Sequence, residues 1–205
     1  MSDTIVQLGW FLPLALLCLG LLVGSFLNVV IYRLPLMMES RWRQDCCELL
    51  ELAQEKTESP LNLATPNSHC PHCKNAIKPW HNIPLISYLL LGGKCGHCAA
   101  PISPRYPIIE LVTGLMTMAL AFYFDLSFGL LGAVLLTWTL IALTMIDVDH
   151  QLLPDDITLP LIWLGLLFNL NSTYVSLTDA VIGAMAGYLI LWSVYWLFKL
   201  FTGKD

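Results

Sequence analysis

The chain has 205 residues, 57% of them hydrophobic and only 12% charged, with a formal net charge of -5. A soluble domain carries about twice that charged fraction, so the composition excludes an ordinary soluble globular protein and places the chain in the membrane class. The basic residues are few and sit at segment ends, which excludes a nucleic-acid-binding surface; the seven cysteines are odd in number and partly paired as CxxC, which fits metal binding better than a disulfide scaffold.

Taken in chain order, residues 1–32 hold the first predicted transmembrane helix, with an apolar stretch from Leu8 to Ile31. It lacks a basic n-region and ends in Asn28 and Arg33 rather than at a small-residue cleavage site, so it is expected to stay as a span rather than be removed as a signal peptide. Residues 33–105 form a polar region holding eight of the ten basic residues: Arg33, Arg41, Arg43, Lys56, Lys74, Lys78, Lys94 and Arg105. Within it, residues 39–58 read as a solvated amphipathic helix, and residues 83–92 as an apolar stretch too short to span. Residues 106–205 then hold four more apolar segments, about 106–124, 127–146, 157–173 and 178–198. Each is near the roughly 17–25 residues a helix needs to cross the hydrocarbon layer, the segment 157–173 being marginal. Helix is the required backbone state there, because lipid offers no partner to an open N–H or C=O.

The positive-inside rule puts the polar region in the cytoplasm. Five spans then run alternately, deliver Asp147 to the cytoplasmic edge, and return Lys199 and Lys204 to the same side. Two GxxxG-like pairs, Gly20 with Gly24 and Gly183 with Gly187, are expected to allow close helix packing. The fold expected is all-α, a polytopic transmembrane helix bundle with a cytoplasmic zinc-binding loop domain.

The loop domain rests on Cys70-Pro71-His72-Cys73 and Cys95-Gly96-His97-Cys98, the two pairs being 21 residues apart. Two CxxC knuckles can place four thiolates around one tetrahedral ion, the arrangement of structural zinc, leaving no position for substrate. The module is expected over 70–98 with Cys70, Cys73, Cys95 and Cys98 as ligands. His72 and His97 are alternative ligands, but their matching places inside the knuckles favour supporting the ligands from behind or facing solvent.

The second chemical feature is Asp147-Val148-Asp149-His150-Gln151-Leu152-Leu153-Pro154-Asp155-Asp156, four acids between two apolar segments. Carboxylates at the end of a membrane helix are costly unless they have chemistry, a partner or water to face. Hydrolysis of an amide by aspartates needs two carboxylates sharing a proton, one activating water and the other protonating the leaving group. Asp147 and Asp149 are two residues apart and do not face each other on a helix. Asp147, placed in the loop directly after a rigid helix, is the candidate catalytic residue; Asp149 is a supporting candidate or a solvated loop acid. Asp155 or Asp156 is expected to cap the following helix.

With these residues in place, the chain resembles the prepilin leader peptidases, bifunctional membrane enzymes of type IV pilus and type II secretion systems. The resemblance runs through Gly24-Ser25-Phe26-Leu27-Asn28-Val29-Val30-Ile31-Tyr32-Arg33-Leu34-Pro35, Pro79 to Tyr88, the two CxxC pairs, Arg105-Tyr106-Pro107-Ile108-Ile109-Glu110, and Ile146 to Asp155. It implies a bacterial inner-membrane enzyme that cuts the leader from type IV prepilins and pseudopilins on the cytoplasmic side. The new N-terminal residue is then methylated from S-adenosyl-L-methionine. By the family pattern Asp147 is the first catalytic aspartate, with Gly24 and Glu110 as supporting candidates. The second aspartate belongs to a GxGD motif that the resemblance puts beyond Asp205, as expected of a fragment or a truncated homologue. Membrane lipid is the expected surrounding, and nucleic acid is not an expected partner. The rival readings are a membrane scaffold that recruits a partner through its zinc module, and a transporter that uses Asp147 and Asp149 as ion carriers.

Overall fold

The computed structural model describes residues 2–52, 62–77 and 83–203. The architecture is all-α: α1 (Ser2–Leu49), the short α2 (Ile86–Leu90), α3 (Arg105–Leu120), α4 (Phe128–His150), α5 (Asp155–Asn169) and α6 (Leu177–Thr202). Among the described residues the only extended pairings are two isolated bridges, His69 with Ala76 and Lys94 with Pro101.

The first helix is longer than its apolar stretch. It runs past Ile31 and through Pro35 to Leu49, so the span placed at residues 1–32 and the front of the polar region are one rod. From Gly9 the rod has 41 residues, about 61 Å of helix, roughly twice the thickness of the hydrocarbon layer. The polar half therefore projects from the bundle as a helical arm. The amphipathic helix expected over 39–58 is the end of this rod as far as Leu49; residues 53–58 lie outside the described part.

Among the described residues, three helices are long and apolar enough to cross a membrane: Gly9–Leu49, Phe128–His150 and Leu177–Thr202. The other two expected spans are shorter than the apolar runs that announced them. Helix α3 has 16 residues and α5 has 15, about 24 and 22 Å of helix. Beyond Leu120 the chain continues in tight turns, with Phe122 N–H bonded to Ala119 O and Tyr123 N–H to Leu120 O. These bonds satisfy the last carbonyls of α3 and carry the apolar path further than the regular helix does.

Helix α3 runs antiparallel to α1 and α4, which are parallel to each other, as the core contacts show. At one end Leu16 of α1 meets Leu130 and Val134 of α4, with Leu120 and Phe124 packed beside them. At the other end Leu27, Val30, Ile31 and Leu34 of α1 surround Ile109 of α3 and Ala142 and Ile146 of α4, with Ile157 of α5 against the cluster. Ile146 is fully buried. In lipid such contacts stabilise through close packing rather than through water release.

That packing depends on two glycines. A Cβ on Gly20 would lie 2.8 Å from the Gly114 Cα, and one on Gly24 would lie 2.7 Å from the Glu110 Cα. Only hydrogen fits between the two backbones, so this pair does what its spacing predicts. Gly183 and Gly187 do not: a Cβ on either meets nothing within 4 Å, and α6 buries no residue. Spacing licenses close approach, but a facing helix must supply it, and α6 follows α5 without one on that face.

Candidate functional site

The functional residues collect at the end of the bundle where α3 begins, α4 ends and α5 begins. Asn28 Nδ2 donates to Tyr106 O over 3.1 Å, which ties α1 to the start of α3. Arg33 is buried at 7% exposure, and its guanidinium is anchored in backbone. Nη1 donates to Asn62 O at 2.9 Å and Nη2 to Pro66 O at 2.6 Å. An arginine carries five donors and no acceptor, so burying one demands a ring of carbonyls. The segment after the α1 arm supplies that ring, and it leads directly into the first cysteine knuckle.

The two knuckles are copies of one fold. Cys70 N–H donates to Asn75 O and Lys74 N–H to Cys70 O; Cys95 N–H donates to Ala100 O and Ala99 N–H to Cys95 O. The residue after the second cysteine is left-handed in both, Lys74 at φ 59° and Ala99 at φ 55°. This turn brings the four sulfurs within 4.8 Å of one another, with Cys70 Sγ 3.8 Å from Cys98 Sγ. The arrangement is a candidate metal centre. His72 and His97 are exposed, the second of the two placements their positions allowed.

The same turns tune the thiols. The Cys98 and His97 backbone N–H groups point at Cys95 and lower its thiol to about 6. The Cys73 and His72 N–H groups lower Cys70 in the same way. At Cys98 the Ala100 N–H lowers the thiol, but burial and the neighbouring sulfurs outweigh it and push the group up to about 11. A bound divalent ion would favour thiolate on all four.

Glu110 and Gly24, named separately from the sequence, are in direct contact. Glu110 is buried at 9% exposure. Its carboxylate accepts the Leu85 N–H at 2.9 Å and a hydrogen bond from the Ser25 side chain. Leu85 has φ 57° and precedes α2, a left-handed position that costs a branched residue energy unless its surroundings hold it. The carboxylate therefore fixes where the 83–92 segment leaves the bundle, and this segment leads to the second knuckle.

The acid block differs from its expected placement. Asp147 and Asp149 are not in a loop: α4 continues to His150, and both lie in its last turn. Gln151 closes the helix in a left-handed conformation, with its N–H on Asp147 O at 2.8 Å. Asp147 is exposed. Asp149 is gripped by Arg105, whose Nη1 donates at 2.8 Å to one carboxylate oxygen while Nη2 donates to the other. Asp149 is thus no solvated loop acid. The expected capping by Asp155 or Asp156 is also corrected, since Pro154 occupies the cap position and no side chain caps α5. Both acids stand in the first turn, where negative charge suits the helix dipole. Asp156 also pairs at 3.4 Å with Arg41 on the α1 arm.

Sequence reasoning missed Arg105, Arg33, Ser25 and Leu85 as members of this end. In the sequence the two arginines mark topology and stand within the motifs of the resemblance, but nothing there gives either a structural partner. Their signal was chemical: an arginine beside an apolar run must find acceptors.

Two family patterns cover most of the chain. The Bacterial Peptidase A24 N-terminal domain matches residues 18–124, and the Type IV leader peptidase family matches residues 134–204. The chain belongs to the type IV leader peptidase family. A prepilin leader peptidase/N-methyltransferase of Stutzerimonas stutzeri is 56% identical over 192 residues, covering 94% of this chain and 66% of that protein. Proteins of the same name from Pseudomonas aeruginosa and Neisseria gonorrhoeae are 54% and 53% identical, over 94% and 100% of this chain and 68% and 71% of theirs. The chain thus spans about two thirds of the length of these family members. No solved structure matches it.

Proposed function

We propose that this protein acts as a prepilin leader peptidase/N-methyltransferase in the bacterial inner membrane, cutting the leader of type IV prepilins and pseudopilins and methylating the new N-terminus. The observation that carries the proposal is the placement of Asp147. It is an exposed carboxylate in the last turn of a membrane helix, within a chain 53–56% identical to proteins of that name. The acid end also carries the basic residues Arg33, Arg41 and Arg105, and by the positive-inside rule that end faces the cytoplasm. A leader on the cytoplasmic side would therefore reach Asp147 without crossing lipid.

In this reading Asp147 supplies one carboxylate of an aspartate pair, its mate lying in the GxGD segment that the resemblance puts beyond Asp205. One of the two, ionised, takes a proton from water while the other protonates the leaving amine. A rigid last turn suits this, because a catalytic carboxylate must be held to within about 0.5 Å. The four cysteines hold structural zinc. Tetrahedral zinc with Zn–S near 2.3 Å sets its sulfurs about 3.8 Å apart, and Cys70 and Cys98 stand at 3.8 Å. The ion would lock the two knuckles to each other and take no part in bond cleavage.

S-adenosyl-L-methionine, which supplies the methyl group in this reading, finds no open face at the two supporting candidates. The α3 backbone fills the space beside Gly24, and the Glu110 carboxylate is buried against Leu85 and Ser25. Their part in methyl transfer is therefore positional. The deciding experiment is prepilin cleavage by the full-length gene product in membranes. Asp147→Asn abolishes cleavage, while Asp149→Asn keeps a measurable fraction. Near-normal cleavage by both variants would refute the assignment.

A further inference from the structure

The Arg105–Asp149 pair is absorbed by neither the metal centre nor the aspartate chemistry. It joins the first turn of α3 to the last turn of α4, across 44 residues of sequence. Both guanidinium nitrogens engage both carboxylate oxygens, the fork geometry that fixes direction as well as distance. The side chains are 39% exposed for Arg105 and 26% for Asp149, so solvent screens the pair in part. Asp149 follows Asp147 by two residues, about 200° around the helix, and thus does not converge with it as a second catalytic acid.

We infer that Asp149 and Arg105 are positioning residues for Asp147, the pair fixing the last turn of α4 and cancelling a negative charge that would otherwise sit two residues from the reacting carboxylate. The inference rests on the reading of Asp147 as catalytic. Other groups gathered at this end leave the pair as the adjustable element. His150 lies on α4 itself, Asp155 and Asp156 open α5, Arg41 of the α1 arm engages Asp156, and Glu110 on α3 is buried against Leu85. Removing either partner of the pair therefore leaves an uncompensated charge of known sign close to Asp147.

The test is the pH–rate profile of prepilin cleavage by the full-length protein. An aspartate pair is active only while it shares one proton, so the profile has an acid limb and an alkaline limb that belong to the pair. Asp149→Asn leaves Arg105 unpaired; positive charge favours ionised Asp147, and both limbs move to lower pH. Arg105→Gln leaves Asp149 unpaired; negative charge disfavours ionisation, and both limbs move to higher pH. Each shift is expected to be about half a pH unit and to shrink in high salt. The double exchange Arg105→Asp with Asp149→Arg restores the ion pair and brings the limbs between those of the single variants.

A merely structural pair would lower the rate in both variants without moving the limbs apart. Limbs that stay in place, or that move the same way in both, overturn the inference. If Arg105→Gln does not accumulate in the membrane, Asp149→Asn alone decides: a downward shift upholds the inference, and no shift or an upward one ends it. Asp147→Asn, run alongside, separates the two levels. Cleavage surviving in that variant sinks the catalytic reading itself. Its loss, with limbs unmoved elsewhere, sinks only the role of the pair.

Discussion

The contact of α1 with α3 and the surface of α6 begin from the same sequence device, two glycines four residues apart, and end in opposite states. Gly20 and Gly24 lie against the α3 backbone at distances no other residue permits, while Gly183 and Gly187 face open space. The first half is bound to itself throughout, by Arg33 on the 62–66 carbonyls, Asn28 on Tyr106, Glu110 on Leu85 and the four-cysteine cluster. Helix α6 has caps at both ends, Ser176 and Gly203, and no buried residue between them. Helix formation and helix packing are separate events in lipid, since the backbone bonds form within one segment whatever lies beside it.

The largest test of that contrast is the metal. Cys70→Ser, or chelation, should reduce bound zinc from one per chain to none and unfold the knuckles locally, because structural zinc supplies about 10 kcal/mol or more to such modules. Metal analysis and hydrogen exchange would show it, with exchange rising across 62–102 and unchanged in α6. Zinc content unaffected by the substitution would remove the cluster from the account. Acid should do the same. Cys95 is lowered by the Cys98 and His97 N–H groups to about 6 from an ordinary value of 9.0. A depressed thiol contributes stability that is full above its unfolded value and is lost as pH falls through its folded one. Metal retention, followed by titration, should therefore fall as pH is lowered, with a midpoint below that of the metal-free thiol because the ion competes with protons for the sulfurs, and retention that does not depend on pH would contradict the thiolate assignment.

Next in size is Gly24→Leu. A side chain there must displace the Glu110 backbone, 2.7 Å from the first added carbon, and overpacking of this kind costs about 3 kcal/mol. Unfolding in mixed micelles should show a clearly lowered midpoint, whereas an unchanged midpoint would mean that α1 and α3 are not in contact. Arg33→Gln should cost about 2 kcal/mol by removing charge-assisted hydrogen bonds to the Asn62 and Pro66 carbonyls, read as faster exchange at residues 62–66. Arg33→Lys should recover little, since one ammonium cannot reproduce the fork. Full protection in both variants would break the link between the arm and the knuckles.

How much of this was legible in the sequence follows the range of the interaction. The knuckles were readable because a CxxC turn is local: four residues and their own N–H groups make it, and only the meeting of two turns is long-range. Helix positions were readable from apolar runs, but the end of α1 was not. The run stops near Ile31 while the helix continues to Leu49, since hydropathy marks where lipid ends and backbone bonding does not stop there. Asp147 and Asp149 were found as a pair of acids but assigned to a loop for the same reason. Glu110 and Gly24 were each picked out, yet nothing at either position announces that they touch. Arg105 with Asp149 is the clearest loss, a contact spanning 44 residues that no local pattern encodes.

The smallest expected effect is the most discriminating. Gly187→Leu should destabilise by no more than about 0.5 kcal/mol, the range of substitutions that touch nothing. A slight stabilisation is equally consistent, because leucine favours helix over glycine by about 0.8 kcal/mol. A Cβ at 187 has no atom within 4 Å, and α6 leaves Ile182, Met185 and Leu189 exposed as well. The same change of residue type at Gly24 and at Gly187 thus holds chemistry constant and varies only what faces the new side chain. If Gly187→Leu cost as much as Gly24→Leu, a partner would have to cover that face in the membrane, and the spacing of the second glycine pair would regain the meaning that the first pair has.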